Sequence, residues 1–591
     1  MKVLKILLLA AGGIVVLIVL VIAIVAATFD PNKYRPELAA AVKDRTGRTL
    51  AVEGKLGLTF FPSIGISVGK ASLSEPNSSR IFAGVEQAKI SLALWPLLSK
   101  QVVVDRVTLS GLAVDLVQRK GGKTNFEDLT GAPGGTQPAA GPKPAPQQGA
   151  MRLDIAGIDI RSSAIGWHDE STGNRFKASV AEFKTGRIAS GVPGKLSLSA
   201  RIEATQPKAD LQIKLSGGYR LDLEKQSFAL SGLDLKISDG TPGSTAPSTS
   251  LQGNAEFDSS PQAIRFNLSV DQFSLDRVLP PPAKEGTSAA AKAAPGGGTP
   301  SAAPSAGRPE EPIDLSALKG LNLKGDLKID RLVASNVKLE KVHLGMRATG
   351  GRVDVDPLAA SLYQGNLAGN ASINAHTNRF TLKGQLGGVA IGPLLRDALN
   401  NNLLEGRGNV ALDVQTGGAT VSAMKKALSG NAKLALRDSS LKGVNLGELL
   451  RKVKSLRGSN PPAEQGATPA ERTDFTELGA NFVIRNGVAH NDDLSAKSPL
   501  LRLAGSGDID IGANSIDYLI KASVVASSGG QGGKDLAELR GVTVPVKVTG
   551  TLDAPRFRAD LGATVGDAVK QRAEDTLKER AQDRLKGLLR R

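Results

Sequence analysis

The stretch Leu321-Asn322-Leu323-Lys324-Gly325-Asp326-Leu327-Lys328-Ile329-Asp330 sets leucine or isoleucine at 321, 323, 327 and 329, and lysine or aspartate at 324, 326, 328 and 330. Successive side chains of a β-strand point to opposite faces, so a period of two describes a strand with one buried and one wetted face. The same alternation returns at Leu211–Leu215, Leu251–Phe257, Val337-Lys338-Leu339, Val353-Asp354-Val355 and Leu501–Ile511. Breaks rich in Gly, Asn or Asp separate the runs, as hairpins and meanders require. The body is therefore read as mostly β: a long antiparallel sheet with a few short helices.

Helical spacing is confined to a few places. Tyr34, Leu38 and Val42 lie four apart and Gly47 supplies a stop, which predicts a helix over Pro36–Thr46. Asn445 reads as an N-cap with Glu448 three residues on, followed by Leu446, Leu449, Leu450, Val453 and Leu456 on one face. Met424–Leu428 reads as a shorter turn. The tail Asp567–Arg591 carries Ala573, Leu577, Ala581, Leu585 and Leu588 at helical spacing, as a docked or solvated helix, or one lying on a membrane. Segments rich in Pro, Gly, Ala and Ser at Gly131–Gln148, Thr241–Thr249, Pro280–Pro312, Pro461–Pro469 and Ser527–Gly533 are expected to be mobile insertions between strands.

The 591 residues include no Cys and only four His, so disulfides, thiolate metal sites and a Cys nucleophile are excluded. A net charge of +17 is spread along the chain with acids between the bases, which describes a solvated surface. Aromatic residues make up 4%, too few for the stacking platforms of nucleic-acid binding, and no groove-reading motif is present. Catalytic motifs also fail. Gly65-Ile66-Ser67-Val68-Gly69 resembles a nucleophile elbow, yet Ile64, Ile66 and Val68 alternate straight through it as a strand. Gly121-Gly122-Lys123-Thr124 ends like a phosphate loop but has Val117 where the upstream Gly belongs, and reads as a hairpin turn. His168, His343, His376 and His490 lack ligand spacing, and Asp508 and Asp510 share a sheet face without the rest of a calcium loop. No enzyme activity, metal or cofactor is expected.

From Ile6 to Thr28 the chain carries no charge, about the length that spans a ~30 Å hydrocarbon core as a helix and longer than a signal-peptide apolar region of roughly 7–15 residues. Ile6, Leu17 and Val25 mark the start, middle and end of this expected anchor. Lys2 and Lys5 precede it and mixed signs follow, so the N-terminus is placed in the cytoplasm and the body across the membrane.

Phe29–Leu129 resembles the N-terminal region of the AsmA family of bacterial envelope proteins through Tyr34-Arg35-Pro36, Thr46-Gly47-Arg48, Gly54, Phe61-Pro62, Leu94-Trp95-Pro96-Leu97-Leu98 and Gly122 with Asn125-Phe126. A second match runs through Gly443-Val444-Asn445-Leu446, Thr473-Asp474-Phe475-Thr476-Glu477-Leu478, Ser498-Pro499, Gly505, Gly507, Asp508, and Pro545-Val546 to Gly550 with Ala554-Pro555. Phe126 stands where the family usually shows Trp, and Asn445 where Asp is common. The resemblance implies an inner-membrane-anchored periplasmic protein of outer-membrane biogenesis. TamB-like relatives look like bridge-type lipid transfer proteins, with a curved sheet, an apolar groove, membrane phospholipids as cargo and a chorein-like N-terminal end where lipid enters. A link to outer-membrane assembly factors supplies the competing reading, a scaffold that carries no lipid.

On this basis residues 1–29 are the cytoplasmic N-terminus and anchor and 30–130 the N-terminal family region. A linker (131–150), a middle β region (151–279), a low-complexity linker (280–312) and a further β region (313–400) follow. The C-terminal family region (401–565) and the charged helix (566–591) complete the chain. A sheet with one apolar face needs a cover, and amphipathic helices are too few to provide it. The interior is then filled by the sheet's own side chains or left as a trough, whose candidate residues are Leu321, Leu323, Leu327, Ile329, Val337, Leu339, Val353 and Val355.

Overall fold

The computed structural model describes residues 31–59, 63–93, 104–130, 154–206, 208–241, 243–277, 310, 312–448, 465–466, 468–525 and 543–559. The expected anchor with Ile6, Leu17 and Val25, the motif residues Pro62, Trp95 and Pro96, and the tail helix lie outside these residues. Among the described residues no helix is long and apolar enough to cross a membrane. The chain divides into two compact units, Met1–Asp271 and Gln272–Arg591.

In the first unit, four crossings of the sheet are each broken in the middle. They are β1 (Leu50–Val52) with β2 (Leu56–Thr59), β3 (Ser63–Val68) with β4 (Ala71–Ser74), β5 (Ile81–Val85) with β6 (Gln87–Ala93), and β7 (Val104–Ser110) with β8 (Ala113–Gln118). At the first break the backbones nearly touch: a Cβ on Gly54 would lie 2.2 Å from the Lys70 nitrogen, so only glycine fits. The meander continues through β9 (Asp154–Ile155), β10 (Ile158–Asp169), β11 (Arg175–Thr185), β12 (Ile188–Ala189), β13 (Pro193–Thr205), β14 (Lys208–Asp222), β15 (Ser227–Asp239), β16 (Thr249–Ser259) and β17 (Gln262–Ser274). One junction departs from the antiparallel expectation. β10 runs parallel to β7 and β8, with Ile158 opposite Val107 and Ala164 opposite Ala113, and β9 is likewise parallel to β7. Alternation does not encode strand direction, and the chain from Arg119 to Leu153 is long enough for the crossover that a parallel pair requires.

The second unit is antiparallel throughout its described pairings. Its strands are β18 (Leu323–Ala334), β19 (Val337–Thr349), β20 (Arg352–Leu362), β21 (Gly365–Asn374), β22 (Arg379–Ala390), β23 (Leu404–Gly417), β24 (Ser429–Gly443), β25 (Gln465–Gly466), β26 (Thr468–Arg485), β27 (Val488–Lys497), β28 (Leu501–Asp510), β29 (Ser515–Val524), β30 (Thr543–Gly550) and β31 (Pro555–Ala559). β24 pairs with β26, and β31 pairs on one side with β30 and on the other with β25. Since β25 is one residue from β26, the run from β26 to β31 closes on itself. Its centre holds Leu446, Phe475, Leu503, Ala522, Val544 and Val546, all within 5% exposure. One expectation is corrected here. Gln465–Gly466 and Thr468 onward are strands rather than a mobile insertion, because they hydrogen-bond the otherwise open edges of β31 and β24. Of the two covers open to an apolar sheet face, side-chain filling and a trough, Leu501 and Leu503 take the first.

The helices are short: α1 (Arg35–Thr46), α2 (Glu127–Thr130), α3 (Ser316–Lys319), α4 (Ile391–Leu399) and α5 (Val421–Ala427). Gly47 ends α1 at φ +67°, its N–H donating to the Lys43 carbonyl, as its position in the sequence predicts. Thr420 caps α5 by accepting from the Ala423 N–H. The Asn445 carboxamide accepts from the Glu448 N–H at 3.0 Å, the expected N-cap contact, while the helix beyond Glu448 lies outside the described residues.

Candidate functional site

Strand register turns the alternation into surfaces. In the first unit one row of directly opposed residues runs Leu56, Val68, Ala88, Leu109, Ile160, Phe183, Leu198, Leu215, Leu235, Leu251 and Val270. Every position is apolar. Leu56 and Val270 at the ends are buried, while the nine between them are only half-buried. No helix of the unit lies over them among the described residues, and larger side chains on the same face are more open still. Ile165 and Phe176 are 40% exposed, and the opposed pair Phe228 and Phe257 are each 37% exposed. The other face is polar, with Lys177, Arg201, Glu203, Lys214 and Asp234 on the same strands and Arg201 paired to Asp210 at 2.5 Å. A depression of about 800 Å³ on that side is floored by Gly84, Ala113, Ala164 and Gly166 and ringed by Arg80, Asp115, Lys177 and Glu203.

A comparable row in the second unit runs Gly325, Met346, Val355, Ala371, Leu382, Val414, Gly430, Ile484, Ala489, Ile509 and Ile516. Among the residues singled out in the sequence, Leu323, Leu327, Ile329, Val353 and Val355 share this face. Leu339 reaches the same side, where it packs with Leu362, Leu367 and Leu386, and Val337 is two residues away along the same strand. Leu321 precedes the first strand and belongs to no row. Coverage differs along the face. Sequence reasoning missed α4, which lays Ile391, Leu394 and Leu395 over Leu362, Val389 and Leu436. Its signal was present in Ile391-Gly392-Pro393-Leu394-Leu395, with Pro in the first turn and Asn400 in the left-handed conformation just past the end. Leu382, Leu412 and Val414 remain half-buried.

At the N-terminal end, four motif residues of widely separated sequence meet. Arg48 is fully buried, its Nε and Nη2 donating to the Asp128 carboxylate at 2.7 and 2.6 Å, with further bonds to the carbonyls of Ser74 and Asn125. The Phe82 ring lies 4.4 Å below its guanidinium carbon. Asn125 donates to Glu75 at 3.0 Å and to the Asp115 carbonyl, and accepts from the Val117 N–H. Arg119 completes the group by pairing with Glu75, which is 2% exposed. Phe126 meets Trp167 edge to face at 6.2 Å, and Gly47 supplies the turn that aims Arg48 inward. Hydrogen bonds from Arg48 hold the Asp128 carboxyl below its ordinary range. The knot is saturated with internal partners, so it positions chain rather than binding solute.

The other motif readings also acquire places. Gly65–Val68 is strand β3, and Gly121 and Gly122, both at positive φ, turn a tight hairpin closed by Gln118 and Thr124. His343 pairs with Asp326, His490 with Asp508, and no group of three metal-ligating side chains occurs among the described residues. Phe475 lies in the closed core, Pro545 is buried opposite Lys521, and Gly550 opposite Pro555 forms the last hairpin.

The sequence pattern of the AsmA family matches residues 1–235 and 249–494. The chain belongs to the AsmA family. Among curated proteins, Protein AsmA of Escherichia coli (strain K12) is 24% identical over 566 residues, covering 88% of each chain. No solved structure matches. Within this AsmA family chain, Gly47, Arg48, Asn125 and Phe126 form one knot, whereas Asn445, Phe475, Pro545, Gly550 and Pro555 belong to the closed C-terminal end.

Proposed function

We propose that this AsmA family protein is anchored in the inner membrane by Ile6–Thr28, extends into the periplasm, and carries phospholipid acyl chains on the uncovered apolar face of its sheet in support of outer-membrane biogenesis. The observation that carries this reading is the eleven-position apolar row of the first unit, with no helix over it among the described residues. At about 4.8 Å per strand its contour is roughly 48 Å, about three times the ~15 Å depth of one leaflet's hydrocarbon. Each CH₂ kept from water is worth about 0.8 kcal/mol, so a tail on a continuous row regains much of what it loses on leaving a bilayer. Headgroups would stay in water at the margins, and no covalent chemistry, cofactor or metal is involved.

The reading is tested by replacing Leu198 or Leu327 with Asp in the full chain and weighing co-purified phospholipid against detergent sensitivity of the cells. Folded variants should carry less lipid and leave cells more sensitive. Undiminished lipid in such variants, with photo-crosslinks running instead from the polar face to an outer-membrane assembly factor, would replace lipid carriage with a scaffold role.

A further inference from the structure

The segment that follows the uncharged stretch is built with two different sides. Helix α1 turns Arg35, Ala39, Val42 and Thr46 inward, and from this side the chain grips the edge of the sheet. The Asn32 carboxamide accepts from the Leu56 N–H at 2.9 Å and donates to the Leu56 carbonyl at 3.2 Å, pairing with the strand as a neighbouring backbone would. Arg35 donates to the Gly54 carbonyl at 2.5 Å and to the Val52 carbonyl, and also bonds Asn32. An edge strand with open hydrogen-bonding groups is thereby closed by two side chains.

About a quarter-turn around the helix, at 100° per residue, Tyr34, Leu38, Ala41 and Arg45 form an outward stripe. Tyr34 is 52% and Leu38 48% exposed, and no residue of α1 is buried. Glu37 and Asp44 point away on the remaining side. Tyr34 follows Thr28, the end of the expected span, by six positions, so the start of α1 lies within about 20 Å of that point at ~3.3 Å per residue. Tyrosine and leucine beside basic residues suit the boundary between headgroups and acyl chains.

We propose that α1 lies in the headgroup layer of the leaflet from which the anchor emerges, stripe against lipid, while Asn32 and Arg35 hold the first strand of the apolar row beside it. This rests on the anchored reading above. It gives the row, which begins at Leu56, a fixed starting point at the bilayer surface.

The absence of cysteine allows single labels without background substitutions. The full chain is reconstituted in phosphatidylethanolamine–phosphatidylglycerol vesicles with a nitroxide at Leu38→Cys, Ala41→Cys, Glu37→Cys or Asp44→Cys. Collision with oxygen should exceed collision with a water-soluble nickel complex at 38 and 41, and the order should reverse at 37 and 44. In the Asn32→Ala/Arg35→Ala double variant that contrast should persist, while a label at Leu58→Cys becomes more mobile. Equal water access at all four positions in chains that stay in the vesicles would overturn the interfacial helix alone. Release of the chain by alkaline carbonate would instead overturn the anchor and this inference with it. An unchanged label at Leu58 would overturn the clamp.

Discussion

Arg48 shows how a single side chain organises a region. Its guanidinium joins Ser74, Asn125 and Asp128, the last 80 residues away along the chain. The sequence marks the residue through the family motif, but not its partner, because Asp128 is one carboxylate among 57 acids. Arg48 is the buried member and Asp128 is open to water, so removing Arg48 costs its charge-assisted hydrogen bonds, about 1.5–3 kcal/mol. Arg48→Ala should therefore lower the first thermal transition followed by circular dichroism, and Arg48→Lys, which loses the two-pronged contact, should fall between variant and parent. The pH dependence has a definite sign. Because the Asp128 carboxyl titrates lower in the fold than its ordinary 3.8, the stabilisation is complete above that value and is lost as pH falls through the lowered one. Asp128→Asn should flatten this acid limb of the melting temperature, and a limb as steep as the parent's would assign it to other carboxylates.

The elements divide into those that local pattern decides and those that distant contacts decide. The Gly47 stop of α1, the Asn445 cap and the strand through Gly65–Val68 follow from neighbours within a turn, and they stand where the residues place them. β25 was not legible, since Gln465–Gly466 sits in a Pro- and Gly-rich run and becomes strand only against β31, some ninety positions later. The parallel direction of β10 was hidden for the same reason. α4 is an intermediate case, being local in its signals but short enough to be lost among strands. It covers one stretch of the second unit's apolar face, with Ile391 4% exposed over Val389 and Leu436. Ile391→Ala should cost about 2–5 kcal/mol in denaturant unfolding of that unit. A cost below about 1 kcal/mol would show that α4 rests on the face without sealing it.

Across the whole chain, two runs with the same alternation have opposite fates. Leu501 and Leu503 are 3% and 5% exposed inside the closed end, whereas Leu211, Ile213 and Leu215 stay half-open. Periodicity predicts a face but not its cover, because closure depends on whether the last strand finds an edge to pair with. β31 finds one; among the described residues β13 to β16 pair only with adjacent strands of the meander. This difference predicts two kinds of aspartate variant. Leu503→Asp buries a charge with no partner and should unfold the closed end before any question of lipid arises. Leu215→Asp leaves its carboxylate reachable by water, so the chain should stay folded while a tail crossing that point must pass a charge. Leu215→Ala removes about three carbons from a half-open position, worth roughly 1 kcal/mol of tail contact, and should lower lipid retained on the purified protein several-fold. The expected order by lipid mass spectrometry is parent, Leu215→Ala, then Leu215→Asp with almost none, all with the same β-sheet circular dichroism. If both variants retain as much lipid as the parent, the row is a bare surface and not a path.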